Sequence, residues 1–470
     1  MKKISLLICL ALIASCGGSS ETAPTTTAPP TTTAPPTTTA TPTTTATPTT
    51  TATPTTTAPP TTTATPTTTA PPIFKTPSPE FQSLGSYDRF DESFENAFSA
   101  SLTSEFENLS KKMGISTAVY QNGKLWSEVA GNSNENTPLT TASPFAVMSS
   151  SKTFLGPLIL SQIEEGLYGL NDLLPDLMLD DPDFQSLNHE MIPTATVEQY
   201  LLQRSGGGET QSTTPAKYFM MVAPNWKPAD FMKLLHEPAG PPGPFRYADA
   251  NANLLGMLAE HKGGDHLEAL YKRKYFDPLN IQAGLRPTME TPSNMTTPYG
   301  EKSWYGGAPG WGDLTKIPIF DGIDSIEADG RSAWAGAGIV STAENMARWA
   351  YELYSPNGSA VPSSIREQIT TSIVDELVQG FPYPQKYGYM TTLRQHSLSD
   401  GRIIESYGHP GGGWGYSSAL FYSPDLDVAI SILANTELTW DNFRATCTTF
   451  TNQEHPAGCI AKGFFETLAE

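Results

Sequence analysis

Large apolar residues repeat with a helical spacing at the start of the globular part of the chain. Between residues 81 and 112 they recur at every fourth position, as Phe90, Phe94, Phe98, Leu102 and Phe106. An interval close to 3.6 residues places such side chains on one face of a helix. The pattern therefore predicts a helix over 81–112 whose aromatic face packs against the rest of the fold.

Strand-like runs lie at both ends of the globular part. Residues 115–120 and 125–130 flank Asn122-Gly123, a dipeptide that favours a tight hairpin turn. Residues 418–422 and 428–433 form a second pair, and 462–468 has a helical pattern. The middle, about 155–350, is richer in helical patterns and Pro/Gly loops. This order predicts an α/β fold whose sheet is built from both ends of the chain, with a helical insertion.

The first 78 residues have a different composition. Residues 1–15 are typical of an export signal, because two lysines precede an apolar stretch too short to span a bilayer. The small residues before Cys16 resemble a bacterial lipobox, in which the cysteine is lipidated; an ordinary cleaved signal peptide is the alternative. Residues 16–78 are rich in Thr, Pro and Ala, and 23–72 repeat every six residues, which predicts an extended stalk or a disordered tail. The globular domain is predicted over 79–470.

Charge and cysteine use narrow the setting. The 470-residue chain carries a formal net charge of −20, which argues against nucleic acid as a partner. A lipid on Cys16 would attach the protein to a membrane and place it outside the cytoplasm, in the cell envelope. In that oxidising setting Cys447 and Cys459 are a natural disulfide pair, with two buried thiols as the alternative. The oligomeric state stays open.

Candidate chemistry lies in the stretch PFAVMSSSKTF, residues 144–154. Ser149 and Lys152 are three positions apart, so a helix beginning near Ser149 would place both side chains on one face. A serine hydroxyl needs a base within hydrogen-bond reach to act as a nucleophile, and a lysine can supply it. The motif occurs often by chance, so a serine-rich turn with a solvated lysine is the alternative.

The context of this motif resembles a known family. Ser149-Ser150-Ser151-Lys152-Thr153-Phe154, followed by an amphipathic run to Leu167, is similar to the nucleophile helix of the serine β-lactamase and penicillin-binding-protein superfamily. The similarity is greatest to the class C-like branch, with its esterases and D-amino-acid peptidases. Further stretches agree in the family's order: 196–207, 245–256, 336–346 and 408–418. The resemblance covers about 82–470. It implies a β-lactamase-like α+β fold, with an antiparallel sheet of N- and C-terminal strands flanked by helices, and a mainly helical subdomain.

The resemblance also implies roles for individual residues. Ser149 would be the acylated nucleophile, Lys152 would share its proton, and Tyr247 would be a second acid/base, although a tyrosine packed in the core is the alternative. His409 would line the cleft where the family usually has lysine, or else bond a neighbouring loop. Gly411 would let the substrate approach, and the Gly412 N–H would be an oxyanion donor together with that of Ser149.

Departures from the family pattern affect the expected substrate. Asp249 stands where asparagine is more frequent, and an acid repels a carboxylate-bearing substrate. His409 removes a fixed positive charge. Pro157 could kink the nucleophile helix. These differences favour an esterase or D-amino-acid peptidase type acting on a small ester, amide or peptide.

Other functions are less expected than an esterase or a D-amino-acid peptidase. A β-lactamase, a D-alanyl-D-alanine carboxypeptidase or a catalytically silent cell-wall-binding relative are the alternative functions. No cofactor is expected, and no metal, since His261 and His266 have the wrong spacing for one helix face.

Overall fold

An eight-stranded antiparallel sheet forms the centre of the computed structural model of this chain. The structure describes residues 75–208, 226–305, 307–317, 330–331, 334–378, 385–436 and 456–470. The predicted export signal, Cys16, most of the predicted stalk and Cys447 lie outside these residues. Cys459 is disulfide-bonded. Among the described helices, none combines the length and apolar character needed to cross a membrane.

The strands come from both ends of the chain. Their bounds are β1 Gly114–Gln121, β2 Lys124–Asn134, β3 Thr137–Pro138, β4 Phe145–Ala146, β5 Ala283–Leu285, β6 Tyr299–Glu301, β7 Trp311–Asp313, β8 Ile339–Ser341, β9 Lys386–Tyr387, β10 Thr392–Ser397, β11 Ile403–Gly413, β12 Tyr416–Ser423 and β13 Val428–Ala434. The main sheet has the order β3-β2-β1-β13-β12-β11-β10-β9, with smaller sheets β4-β8-β5 and β6-β7. The N- and C-terminal strands meet where β1 pairs with β13, which confirms the predicted architecture.

Helices lie between and outside these strands. Their bounds are α1 Glu92–Asn108, α2 Lys152–Glu164, α3 Leu174–Leu177, α4 Pro182–Gln185, α5 Val197–Leu201, α6 Pro228–Met232, α7 Asp249–Gly263, α8 Leu267–Tyr271, α9 Asp277–Leu279, α10 Ala343–Tyr354, α11 Ser363–Thr371 and α12 Pro456–Ala469. Most of those from α2 to α9 are short, and they form the helical insertion that the sequence predicts.

The hairpin between β1 and β2 forms where the Asn-Gly dipeptide predicts it. Gln121 pairs with Lys124, so only Asn122 and Gly123 form the turn. Both have positive φ, +45° and +85°. Two successive residues of that kind form a type I′ turn, whose twist matches the twist of the flanking strands.

Alternate residues of the main sheet pack into two different cores. On one face, Phe98 of α1 contacts Phe464 of α12, with ring centroids 5.0 Å apart, and Trp126 of β2 at 5.2 Å. On the other face, α10 covers β1, β12 and β13. Because successive side chains of a strand point to opposite faces, Ile430 and Ile432 join the first core while Ala429 and Leu433 join the second.

The predicted helix over 81–112 is wrong in its first part. Helix α1 begins at Glu92, and residues 81–91 form a non-helical strap. Phe81 packs against Met289 and Val340 instead of joining the aromatic face of the helix. Ser86 has a φ of +108°, which a helix does not allow.

The strap is held by specific hydrogen bonds. Ser83 Oγ and the Leu84 N–H donate to the buried carboxylate of Glu344, at 2.9 and 2.5 Å. Upstream, the Thr76 N–H donates to Thr288 O and the Glu290 N–H donates to Thr76 O, both at 2.8 Å. The chain between residues 76 and 84 is therefore bound to the globular body by both its backbone and its side chains.

Candidate active site

A single helical turn carries the predicted nucleophile. Met148–Ser151 form a 3₁₀ turn that continues directly into α2 at Lys152. Met148 has a φ of +48°, an unusual backbone for a residue with a side chain, and Ser149 follows it half-buried among buried neighbours. Residues held in such conformations are frequent at functional sites. The turn thus leaves Ser149 partly accessible at the N-terminal end of a buried helix.

The three adjacent serines have three different partners. The Ser149 hydroxyl lies 3.3 Å from Lys152 Nζ. The Ser150 hydroxyl donates to the backbone oxygen of His409 at 2.7 Å and so fastens the turn to β11. Ser151 Oγ accepts the backbone N–H of Ile339 at 3.0 Å and fastens the same turn to β8. Of the three, Ser149 is therefore the hydroxyl paired with the lysine.

Lys152 is completely buried and bonds three acceptors. Its Nζ lies 2.6 Å from Asp249 Oδ1, 2.9 Å from the backbone oxygen of Gly336 and 3.3 Å from Ser149 Oγ. An ammonium group has three donors, and each here has one acceptor. The lysine is held in one position that points it at the nucleophile.

Tyr247 completes the predicted catalytic trio. Lys152 Nζ lies 4.8 Å from the centroid of its ring, within the range of a cation–π contact. The ring also contacts His409 and Tyr387, with centroids 5.9 and 6.1 Å away. The structure thus brings Ser149, Lys152 and Tyr247 into one cluster.

Asp249 has a partner that the sequence does not predict, because its Oδ1 forms an ion pair with Lys152. Its contact with the substrate stays a prediction. Its side chain is 38% exposed, so the carboxylate connects the buried lysine to the accessible surface of the cluster. The charge of Asp249 is therefore largely balanced by the lysine, which weakens the repulsion of an anionic substrate.

Gly336 is a site residue that the motif comparison did not single out. Its carbonyl accepts from Lys152, and a Cβ built on it would lie 3.1 Å from Asp249 Oδ1 and 3.4 Å from Lys152 Nζ. A side chain at this position would crowd the ion pair. The segment 336–346 was recognised only by its similarity to the family, because a backbone carbonyl leaves no signal in the residue type.

His409 is buried and has partners at both ring nitrogens, so it does not act as the cleft-lining donor that the sequence predicts. Its Nδ1 lies 2.6 Å from the Pro410 backbone oxygen, which can only accept, so Nδ1 carries the proton. The Tyr387 hydroxyl then donates to Nε2, at 3.1 Å. Burial, assisted by the positive charge of Lys152, lowers the pKa of His409 to about 3. A neutral imidazole fixed in this way offers no charge to a substrate.

The glycines of β11 bring the strand against the nucleophile. A Cβ on Gly411 would lie 2.5 Å from Ser418 Oγ and 2.7 Å from the backbone nitrogen of Ser149, so only glycine fits. β10 pairs with β11 only as far as Gly408, and beyond that point the turn that carries Ser149 lies against the strand. Gly412 is exposed there. Its role as an oxyanion donor stays a prediction.

A buried polar network positions the segment that carries Tyr247 and Asp249. Gln203 Oε1 accepts the Ala248 N–H at 3.0 Å and the Asn251 amide at 2.6 Å. The Ser205 hydroxyl donates to Asn251 Oδ1 at 2.5 Å. The stretch 196–207, which resembles the family, therefore holds residues 248–251 in place. It does so through the polar side chains that follow helix α5.

Tyr387 was missed entirely by sequence reasoning. It lies on the two-residue strand β9, outside every stretch that resembles the family. Its burial raises the pKa of the hydroxyl well above its usual value, which keeps the hydroxyl protonated as the donor to His409. No local pattern signals a tyrosine whose partner is 22 residues away on another strand.

Pro157 does not interrupt the nucleophile helix, because α2 continues from Lys152 to Glu164. The neighbouring Gly156 allows a close approach: a Cβ there would lie 2.7 Å from the Tyr389 backbone oxygen. The Gly156-Pro157 pair thus serves packing between α2 and the segment that precedes β10.

Comparison with known proteins identifies the family of this chain. The fold is that of the β-lactamase-like class. The profile of the family described as Beta-lactamase matches residues 102–446. The chain therefore belongs to the β-lactamase family.

Solved structures share the fold at low sequence identity. D-amino acid amidase from Ochrobactrum anthropi SV3, complexed with D-phenylalanine, superposes with a TM-score of 0.62 at 18% identity, covering 81% of this chain and 100% of that one. D-stereospecific amidohydrolase from Streptomyces sp. gives 0.55 at 21%, covering 73% and 94%. The octameric penicillin-binding protein homologue from Pyrococcus abyssi gives 0.53 at 19%, covering 74% of each chain.

Proposed function

We propose that this protein is a serine hydrolase that cleaves small amides or esters through an acyl-enzyme on Ser149. The observation that carries the proposal is the position of the Ser149 hydroxyl, half-exposed and 3.3 Å from a buried lysine that also lies over the Tyr247 ring. A nucleophile next to a base that is itself held by further groups is the arrangement that acyl transfer requires.

The reaction proceeds in two steps, acylation of Ser149 and hydrolysis of the acyl-enzyme. Ser149 Oγ attacks the substrate carbonyl carbon while its proton passes to the Lys152–Tyr247 pair, and the carbonyl oxygen becomes an oxyanion held by backbone N–H groups. Collapse of this intermediate breaks the C–N or C–O bond, and the leaving group takes the proton. Water then attacks the Ser149 ester in the same way, releasing the acid and restoring the hydroxyl.

The charges around the nucleophile favour substrates without a carboxylate next to the scissile bond. The Lys152 ammonium is paired with Asp249, and His409 is neutral, so little net positive charge faces the cleft. β-Lactams and D-Ala-D-Ala peptides both carry a carboxylate there. We therefore place amides and esters of small acyl groups first, and D-amino-acid amides among them because two similar structures are D-stereospecific amide hydrolases. β-Lactamase, carboxypeptidase and silent binding functions follow.

The setting of this activity is part of the proposal. The basic and apolar start of the chain, Cys16 and the Thr/Pro/Ala-rich repeat support an exported enzyme that is anchored by a lipid to the cell envelope. A labelled palmitate should be incorporated into the protein expressed in a bacterial host, and substitution of Cys16 by serine should abolish the incorporation.

Labelling with a fluorophosphonate tests the nucleophile directly. We expect covalent modification of Ser149 in the folded protein and its complete loss in Ser149→Ala. Ser364→Ala is the matched control, because Ser364 is exposed and bonds Glu164 on the surface. Modification that persists in Ser149→Ala would refute the proposed mechanism.

A substrate panel then orders the activities. We expect kcat/KM for D-amino-acid amides and p-nitrophenyl butyrate to exceed that for nitrocefin and for D-Ala-D-Ala peptides by at least about tenfold, the effect of about 1.4 kcal/mol of unfavourable electrostatics. The reverse order would indicate a β-lactamase or carboxypeptidase.

A further inference from the structure

The ion pair between Lys152 and Asp249 distinguishes this site from the asparagine-containing pattern that the sequence resembles. We propose that Asp249 is a positioning residue that holds Lys152 as an ammonium ion and thereby sets the pH at which Ser149 becomes nucleophilic. The inference rests on the proposed function, and it assigns a role in the proton transfer to a residue that motif comparison places at the substrate.

The geometry around Nζ carries the first step. Asp249 Oδ1 and the Gly336 carbonyl oxygen lie at 2.6 and 2.9 Å, and a carboxylate and a carbonyl can only accept. Two N–H groups of Lys152 are therefore committed to these partners. The remaining valence points at Ser149 Oγ, 3.3 Å away. As an ammonium, Lys152 donates to Ser149; as an amine, its lone pair would accept the serine proton.

The charge of Asp249 decides which of these two forms dominates. A carboxylate at 2.6 Å from a fully buried nitrogen stabilises the positive charge strongly, because little water screens the pair on the lysine side. The Tyr247 ring adds a second favourable contact for a cation. An asparagine in the same place would keep the hydrogen bond and lose the charge. Before Ser149 can be deprotonated, the cluster of Lys152 and Tyr247 must release a proton. The carboxylate of Asp249 opposes that release.

Three further titratable groups face the pair from other elements. Tyr247 precedes α7, Tyr387 comes from β9, and His409 comes from β11. Burial raises the pKa of Tyr387 and lowers that of His409 to about 3, so both stay neutral near pH 7. The proton that leaves Ser149 thus goes either to the Lys152 lone pair or to an ionised Tyr247. The negative charge of Asp249 disfavours both the neutral lysine and the ionised tyrosine, because forming either one lowers the positive charge next to the carboxylate.

The position of Asp249 is fixed by its surroundings. It is the first residue of α7, and the preceding Ala248 N–H is bound by Gln203. Gly336 has no side chain that could displace the carboxylate. A substitution to asparagine therefore changes the charge with little change in shape.

The test measures how the rate of Ser149 labelling by a fluorophosphonate depends on pH from 5 to 10. We expect the acidic limb of the Asp249→Asn profile to move to lower pH by about one unit or more, as the loss of a neighbouring opposite charge commonly does. Asp249→Glu, which restores the charge, should return the limb to within a few tenths of a unit of the parent. Asp183→Asn is the matched control, because it removes a carboxylate from an exposed pair with Lys227; its profile should coincide with the parent's.

The outcomes separate the two proposals. If the parent protein is not labelled at Ser149 at any pH, the proposed function fails and this inference falls with it. If the parent is labelled but Asp249→Asn only lowers the rate and leaves the limb in place, the role of Asp249 is purely structural and this inference alone fails.

A measurement on the parent protein covers the case in which Asp249→Asn does not fold. Lysine labelled with ¹³C at Cε, with the Lys152 signal assigned by its loss in Lys152→Arg, reports the charge state by NMR. We expect the ammonium chemical shift to persist at pH 7, and a neutral-amine shift at that pH would overturn the inference.

Discussion

The two faces of the main sheet each bury a histidine, and the two histidines differ in their surroundings. His396 on β10 is 4% exposed, contacts the rings of Phe421 and Phe465, and has Ser406 as its hydrogen-bond partner. His409 on β11 is 1% exposed and lies against Tyr387 and Tyr247, near Lys152. Burial keeps the pKa of each imidazole below its usual value.

The comparison shows that burial and a shifted pKa do not by themselves mark a functional histidine. His396 lies in an aromatic core with α1 and α12, where its role is packing. His409 lies one residue before the Pro410–Gly411 step that reaches the nucleophile, so its ring fixes the strand that contacts Ser149. The role of a buried polar group is therefore indicated by the residues that it contacts and not by its degree of burial.

The largest expected difference between the faces is in catalysis. Substitution of Lys152 by methionine removes the group that shares the serine proton, and we expect the rate of Ser149 labelling to fall by about 10³-fold or more. Circular dichroism should show that the variant remains folded. A fall of less than tenfold would mean that Lys152 is not part of the proton transfer.

Substitutions on the opposite face of the main sheet, which carries the aromatic core of α1 and α12, should change the stability of the protein and not its catalytic rate. Phe464→Ala removes a ring that contacts Phe98 and Trp126, and we expect the free energy of unfolding in urea to drop by about 3–5 kcal/mol. The labelling rate of the folded variant should match that of the parent. A changed pH profile of labelling in this variant would show that the two faces are not independent.

Both histidines should make the protein less stable in acid. Because the folded-state pKa of each lies below the unfolded value of about 6.5, the unfolded chain binds the proton first as the pH falls below that value. Their stabilising effect is therefore complete above pH 6.5 and is lost progressively toward the folded pKa, which is about 3 for His409. We expect a slope of up to about 1.4 kcal/mol per pH unit for each histidine.

Unfolding in urea between pH 6.5 and 4.5 measures this slope. His396→Asn and His409→Asn should each flatten the dependence of the unfolding free energy on pH. An unchanged slope in either variant would contradict the burial of that imidazole as the cause.

The smallest expected effect concerns the support of His409. Tyr387→Phe removes the hydroxyl that donates to Nε2 and leaves that nitrogen buried with one partner fewer, at a cost of about 1–3 kcal/mol in unfolding free energy. We expect labelling of Ser149 to slow by less than about tenfold, since the hydroxyl that is removed donates to His409. A loss comparable to that of Lys152→Met would make Tyr387 a member of the catalytic cluster.

Local signals accounted for the elements that form from neighbouring residues. The Asn122-Gly123 turn, strands β12 and β13, and the helix after Ser149 follow from turn chemistry and apolar spacing, and the structure confirms them. The strap at 81–91 did not follow, because Phe81 packs against Met289 and Val340 at a distant part of the chain. Tertiary packing overrides a local preference of a few tenths of a kcal/mol per residue.

The sequence by itself determined the kind of fold and predicted the trio of Ser149, Lys152 and Tyr247. Ser149 and Lys152 are three positions apart, and Tyr247 lies in one of the stretches that follow in the family's order. Only the tertiary structure decided that Asp249 is the partner of Lys152, that the Gly336 carbonyl holds the same group, and that His409 is turned away to Tyr387. The first two contacts join residues 97 and 184 positions apart. A hydrogen bond depends on the distance between two atoms and on their burial, and the intervening sequence indicates neither quantity.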